Sequence, residues 1–318
     1  MDDNKASANE IAFHELLKER RKDRFWRNLR FAGVIGLAVT AFTLQRIDGG
    51  PFGGPPSEPP EAPYVSLVKI EGMIHPNNPQ ASKEGLRSAV RDAFRDEDAE
   101  GVVIQISSPG GTPVQSELIR TMIKRTAERY DQRVVVVGDE MLTSGAYLIA
   151  SAADKIYAQP STLVGSIGVI MSGFGAHELI EELGVERRIY TAGETKAQLD
   201  PFLPEDPQVV NQHQAILDDI HDQFIEAVVE GRGDLINGNA EELFDGDYWT
   251  GRQAVELGLI DSTAPLPEVL EEEFGTRTIR DRTPSPSLLR RLGLAAMDVL
   301  TTLTGRDHAS TVSATWHK

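Results

Sequence analysis

The chain has 318 residues, enough for one large domain or two ordinary ones, and 40% of them are hydrophobic, so a sizeable core can form. The formal net charge of −17 speaks against a nucleic-acid-binding surface, which needs a basic face. With no cysteine, the chain cannot use disulfides, thiolate zinc sites or a cysteine nucleophile.

Residues 1–30 are polar and highly charged, and Lys18, Arg20, Arg21, Lys22, Arg24, Arg27 and Arg30 crowd their end. Phe31 to Leu44 then run fourteen residues without a charge. A bilayer span takes about 20 residues. Leu29 and Ile47 flank the run, and Arg30 and Arg46 can snorkel to the interface. Residues 31–47 therefore read as one transmembrane anchor, with the basic segment 1–30 held in the cytoplasm. A signal peptide cut after Val39-Thr40-Ala41 is the other reading. Residues 48–63 carry Gly49-Gly50-Pro51, Gly53-Gly54-Pro55-Pro56 and Pro59-Pro60, a density that makes them a semi-rigid tether.

The folded domain is expected over 64–275. Tyr64 to Ile70 is an apolar strand, and Ser82 starts a helix with Leu86, Ala89, Val90, Ala93 and Phe94 at helical spacing. Gly101 to Ser107 is a nearly all-apolar strand, as in a sheet buried on both faces, and Ser108-Pro109-Gly110-Gly111 breaks it. The next helix is expected to turn Val114, Leu118, Met122 and Ile123 inward. Arg133 to Gly138 is a third strand, followed by Met141-Leu142-Thr143-Ser144-Gly145 and a small-residue helix to Ala153. Short strands follow at Lys155–Ala158 and Val164–Met171, then a helix at Ala176–Leu183, a strand at Glu186–Thr191 and a long amphipathic helix at Pro207–Glu230. A short helix ended by Gly258 and one last strand close the domain. Alternation of this kind predicts stacked βαβ units with a largely parallel sheet. Residues 276–318 form a basic, polar tail, within which Ser287 to Gly305 reads as an amphipathic helix.

Ser144 falls at a strand-to-helix turn, where a hydroxyl can project from a rigid scaffold with helix N–H groups beside it. The same residue would also serve as an ordinary N-cap. A serine nucleophile needs a base. His75, His177, His213 and His221 are the domain's histidines, and none lies in a catalytic context; a solvated helix face accounts for the last two. No Gly-x-Ser-x-Gly elbow surrounds Ser144, and no His-Glu-x-x-His metal motif occurs. Lysine is the other base, provided it is desolvated and neutral. Beyond residue 47 only Lys69, Lys83, Lys124, Lys155, Lys196 and Lys318 remain, and Lys196 lies in a loop just past a predicted strand. Gly110-Gly111 and the amide of Gly145 are candidate oxyanion donors. Ser166, between Gly165 and Gly168, adds a further hydroxyl.

Taken in order, Ser108-Pro109-Gly110-Gly111, Ser144-Gly145-Ala146-Tyr147-Leu148-Ile149-Ala150, Ala153-Asp154-Lys155-Ile156, Gly165-Ser166-Ile167-Gly168-Val169, Lys196 and Gly251-Arg252-Gln253-Ala254…Gly258-Leu259-Ile260-Asp261 resemble the signal peptide peptidase A family of Ser/Lys proteases, short form. The resemblance covers about residues 64–265. It implies a ClpP/crotonase-like α/β fold with Ser144 as nucleophile, Lys196 as general base, Ser166 orienting the lysine, and Gly110 or Gly111 with Gly145 as oxyanion hole. It also implies no cofactor, no metal and no nucleic-acid partner. The implied partners are peptide substrates such as spent signal peptides, the lipid bilayer, and further copies of the chain in a ring or dome, an octamer being one such assembly. In such an assembly the lysine reaches a neighbour's serine. The implied location is the bacterial inner membrane, with one span and the protease domain on the periplasmic side. Met141 before the serine and Thr195 before the lysine depart from the usual pattern, which implies altered substrate preference. A crotonase-like acyl-thioester enzyme, a catalytically silent scaffold and a membrane-bound ClpP-class protease with another substrate are the competing expectations.

Overall fold

The computed structural model describes residues 63–284, Glu194 excepted. The anchor at 31–47, all but the last residue of the tether and the helix expected at 287–305 lie outside them. Among the described residues, no helix is long and apolar enough to cross a membrane.

The chain forms a mixed α/β domain on a largely parallel sheet. Its elements are β1 (Tyr64–Glu71), α1 (Lys83–Phe94), β2 (Ala99–Ser108), α2 (Pro113–Tyr130), β3 (Val134–Thr143), α3 (Gly145–Ala150), β4 (Lys155–Ala158), β5 (Leu163–Gly165), α4 (His177–Glu182), α5 (Pro207–Arg232), α6 (Ala240–Leu243), β6 (Tyr248–Thr250), α7 (Gly251–Glu256), β7 (Ser262–Thr263), α8 (Leu266–Phe274) and β8 (Ile279–Asp281). The main path through the sheet is β6-β5-β3-β2-β1-β8. Every pairing is parallel except β5 with β6.

The central strands are apolar at successive positions because both faces are covered. Val68, Ile70, Ile104, Ile106, Val134 and Val136 face one core, against α1, α2 and α3. Val65, Leu67, Val103, Val135 and Val137 face a second, capped by Val269 and Leu270 of α8. A parallel sheet buried on both sides calls for such unbroken runs.

β3 forks the sheet. Its first half pairs with β4, from Val135 opposite Lys155 to Gly138 opposite Ala158. Its second half pairs with β5, from Met141 opposite Leu163 to Thr143 opposite Gly165. The end of β3 stays between β2, where Leu142 lies opposite Ser108, and β5, so Ser144 and Ser166 directly follow the paired residues Thr143 and Gly165 of neighbouring parallel strands.

Several expectations need correction. The strand expected over Val164–Met171 ends at Gly165, and Glu186–Thr191 forms no strand. Neither stretch has a neighbouring strand to pair with beyond Gly165 among the described residues. The helix after Ser144 stops at Ala150. The inner face of α2 is Ser116, Ile119, Arg120 and Ile123, whereas Val114 is 68% exposed and Leu118 is exposed as well. The fold also runs past residue 275, since β8 pairs with β1, Val65 to Leu67 lying opposite Ile279 to Asp281. A buried charge holds that edge: Asp96 pairs with Arg282, which also takes a backbone bond to Leu67, and lies 3.6 Å from Arg280.

Candidate active site

Ser144 ends β3 and begins α3, but it does not act as a cap. Its φ of 53° and ψ of −127° lie outside the extended region that N-caps adopt, and its hydroxyl makes no capping hydrogen bond. A non-glycine residue held there carries strain on the order of 1–3 kcal/mol. The surroundings hold it in place. Its N–H donates to the Gly165 carbonyl at 2.7 Å, its own carbonyl accepts from Leu148 at 3.0 Å, and Leu142, Thr143, Gly145 and Ala146 around it are buried. Tyr147, fully buried, donates its hydroxyl to the Leu259 carbonyl at 2.7 Å and so pins α3. Burial pushes the Tyr147 hydroxyl well up, which keeps it a donor. Ser166 has the same unusual backbone, φ 52°, and its N–H donates to the Asp247 carbonyl at 2.7 Å.

The Gly110-Gly111 turn is folded against Ser144. At Gly110, where φ is +96°, a side chain would put its Cβ 2.7 Å from the Ser144 Cβ and 3.0 Å from Oγ. The two glycines differ in what they can donate. The Gly110 N–H is taken by the Ser108 hydroxyl at 3.1 Å, and its carbonyl accepts from Ile74 at 2.8 Å. The Thr112 N–H bonds the Ile74 carbonyl at 2.9 Å, so the loop is clamped on both sides of Gly111. The Gly111 amide is therefore the donor left on this turn, and a Cβ built on Gly145 would lie 3.4 Å from it. Gly145 is the first residue of α3, where an N–H has no acceptor within its own helix. Two amides, from Gly111 and Gly145, thus stand beside one strained hydroxyl. Gly110, named from sequence as a possible donor, shapes the turn instead.

This corner opens on a cavity of about 900 Å³ lined by Ser144, Gly145, Ser166 and Gly111 at one end. Its walls include Val114, Leu118, Leu148, Val169, Ile170 and Phe224. Val114 and Leu118, expected in the core, are thus wall residues. The far end is charged. Arg120, buried, donates to the Ser151 hydroxyl at 3.2 Å and pairs with Glu230 of α5, which Lys124 also holds. Lys124 and Arg120 keep the Glu230 carboxyl below the usual carboxylate range. His221 does not lie on a purely solvated face: its Nε2 is 3.2 Å from the Ile167 carbonyl, joining α5 to the segment that carries Ser166.

Lys196 is not brought to this corner. It is exposed and lines a separate recess of about 390 Å³ with Ala192, Gly193, Thr195, Gln198, Leu199 and His213. Residues 170–203, the segment that carries it, present a run of bare apolar side chains, among them Ile170, Phe174 and Tyr190, each at least 90% exposed. Among the described residues no group of three or more His, Asp and Glu could hold a metal ion.

The family model described as peptidase family S49 matches residues 127–273. The putative protease slr0021 of Synechocystis is 35% identical over 241 residues, covering 72% of this chain and 82% of that protein. The putative signal peptide peptidase SppA of Enterococcus faecium is 30% identical over 205 residues, covering 64% and 59% respectively. The Na(+)/H(+) antiporter NhaA of Brucella abortus is 40% identical over 217 residues, but the match takes in 67% of this chain and only 29% of that protein. Among solved structures, a mutant of the 1510-N membrane-bound stomatin-specific protease aligns at a TM-score of 0.45 with 18% identity, over 71% of this chain and all of that one.

Proposed function

The chain belongs to peptidase family S49, and from that premise we propose that it is a membrane-anchored serine endopeptidase of ClpP/crotonase-like fold in which Ser144 attacks and Lys196 of a neighbouring copy takes the proton. The observation that carries the reading is the Ser144 corner: a serine on strained backbone with no capping role, two neighbouring amides and a cavity in front of it with apolar residues in its walls. An ordinary cap would sit in the extended region and bond back to the helix, and Ser144 does neither.

In the proposed reaction, Ser144 Oγ attacks the scissile carbonyl while the lysine amine accepts its proton. The Gly111 and Gly145 amides receive the oxyanion, and loss of one such donor costs about 100- to 1,000-fold in rate. The amine leaves with a proton, and water hydrolyses the acyl-enzyme. Ser166, next in register to Ser144, is suited to orient the incoming lysine. A lysine acts as a base only when neutral, which calls for a dry site, and Lys196 of the single chain is exposed to solvent. The bare apolar residues of the segment that carries it fit burial against another protomer of a ring or dome. Apolar cavity walls fit substrates such as spent signal peptides and other apolar segments, met at the outer face of the inner membrane. An acyl-thioester reaction of the crotonase kind would use the paired amides but leaves the strained hydroxyl between them without a task.

The test mixes inactive chains. Ser144→Ala and Lys196→Ala should each abolish peptide cleavage, and co-assembled mixtures of the two should regain a measurable fraction of it. Normal turnover by either variant alone would remove the assignment. Absence of recovery in mixed assemblies would place the base within the same chain.

A further inference from the structure

A second serine lies directly behind the oxyanion corner. Ser116, in the first turn of α2, is fully buried at 0% exposure. Its hydroxyl donates to the Thr112 carbonyl at 3.1 Å, and its N–H bonds the same carbonyl at 3.1 Å. Thr112 is the residue after Gly111, so this double bond ties Ser116 to the turn that supplies one amide. The other side of the Ser116 hydroxyl meets the second amide's residue. A Cβ built on Gly145 would lie 2.2 Å from Ser116 Oγ and 3.1 Å from Ser116 Cβ. The hydroxyl's proton is committed to Thr112, so the face toward Gly145 is the oxygen's lone-pair side.

We propose that Ser116 is a positioning residue that sets the gap between the Gly111 and Gly145 amides. The inference rests on the reading of Ser144 as nucleophile. It adds a reason for a polar residue on the inner face of α2, where an apolar one would fill the core equally well. An oxyanion hole works when its donors are fixed at the position the charge will occupy, and small displacements weaken it. The Ser116 oxygen fills the space into which Gly145 would otherwise move toward α2, and its bond to Thr112 keeps Gly111 from moving away. Substrate contacts along the cavity walls lie elsewhere, so the effect belongs to the chemical step.

The experiment uses the full-length chain, a peptide substrate and a fluorophosphonate that reacts with the nucleophilic serine. Ser116→Ala should lower kcat about tenfold with KM within about twofold, and should slow phosphonate labelling of Ser144 by a similar factor. All rates are read well below each variant's melting temperature, which separates positioning from stability. A second variant probes the contact itself. Gly145→Ala forces a methyl onto the Ser116 oxygen, so Ser116→Ala combined with Gly145→Ala should be more active than Gly145→Ala alone. Wild-type kcat and labelling rate in Ser116→Ala would overturn the proposal, as would a double variant no better than the single. If the phosphonate leaves Ser144 of the wild-type chain unlabelled while cleavage proceeds, the nucleophile reading itself fails and takes this proposal with it.

Discussion

Ser144 and Lys196 occupy opposite kinds of surroundings. Around Ser144 the backbone is over-determined: strand pairing on both sides of β3, a clamp of hydrogen bonds on the Gly110-Gly111 turn, and buried residues before and after it in the chain. Around Lys196 the chain makes turns and short local bonds, and its apolar side chains point into solvent. If these are the two reacting groups, as proposed, the site is half built within one chain. In the proposed mechanism Ser144 and the two amides are held by this chain alone, whereas Lys196 would need surroundings that this chain alone does not give it. We read that asymmetry as tying activity to assembly.

The sharpest way to break the comparison is at the rigid end. Ser144→Ala should reduce peptide turnover by about four to six orders of magnitude, with the melting temperature unchanged or raised; steady-state kinetics and a thermal melt check both. Gly110→Ala should come next. Its methyl would meet Ser144 at 2.7 Å from a backbone already at φ +96°, so turnover should fall by about 100-fold or more and stability by about 1–3 kcal/mol.

A third change leaves the site alone and tests the scaffold. Glu273 of α8 has a side chain only 3% exposed, paired with Arg133 and, at 2.7 Å, with Lys155. Burial works to raise its carboxyl, but the bonds from Lys155 and Tyr157 and the charge of Arg133 prevail and hold it low. Because the folded state then binds its proton less readily than the unfolded state, this contribution is complete above the ordinary glutamate range and is lost as pH falls through the depressed value. Glu273→Gln should therefore destabilise by about 1–3 kcal/mol near neutral pH, and by progressively less in acid. Denaturant melts at a series of pH values read this directly, and kcat per folded molecule should not change. The smallest effect belongs to the cavity wall. Val114→Ser and Leu118→Ser, at exposed positions, should leave stability within about 0.5 kcal/mol and shift cleavage preference away from apolar residues by a few-fold in kcat/KM, visible in a peptide-library digest.

The parts of the molecule that were legible in the sequence are those with unambiguous burial. Runs such as Val134 to Val137 announce a strand covered on both faces, and Ser82 marks the start of α1, where its hydroxyl accepts from Gly85. The glycines at 110, 111 and 145 were legible as a group because each sits where a side chain would strike a neighbour. The misreadings have physical causes. Val164 to Met171 is apolar and β-rich, yet beyond Gly165 no strand lies alongside among the described residues, and sequence pattern reports propensity and not partnership. The inner face of α2 includes Ser116 and Arg120, and two buried polar residues hid its true orientation from an apolar count. β8 is three residues long and polar on average, and the charges of Arg280 and Arg282 that made it look like tail are the ones that meet Asp96.

The left-handed backbone at Ser144 has an evolutionary consequence. Glycine adopts such a conformation without penalty, so a Ser144→Gly chain should fold at least as well as the working enzyme while losing its chemistry. On the proposed role of Ser144, selection for a sound fold alone would erode this position, and only continued demand for the reaction would keep a serine there. Copies of this gene freed from that demand should lose the hydroxyl early and keep the scaffold long afterwards.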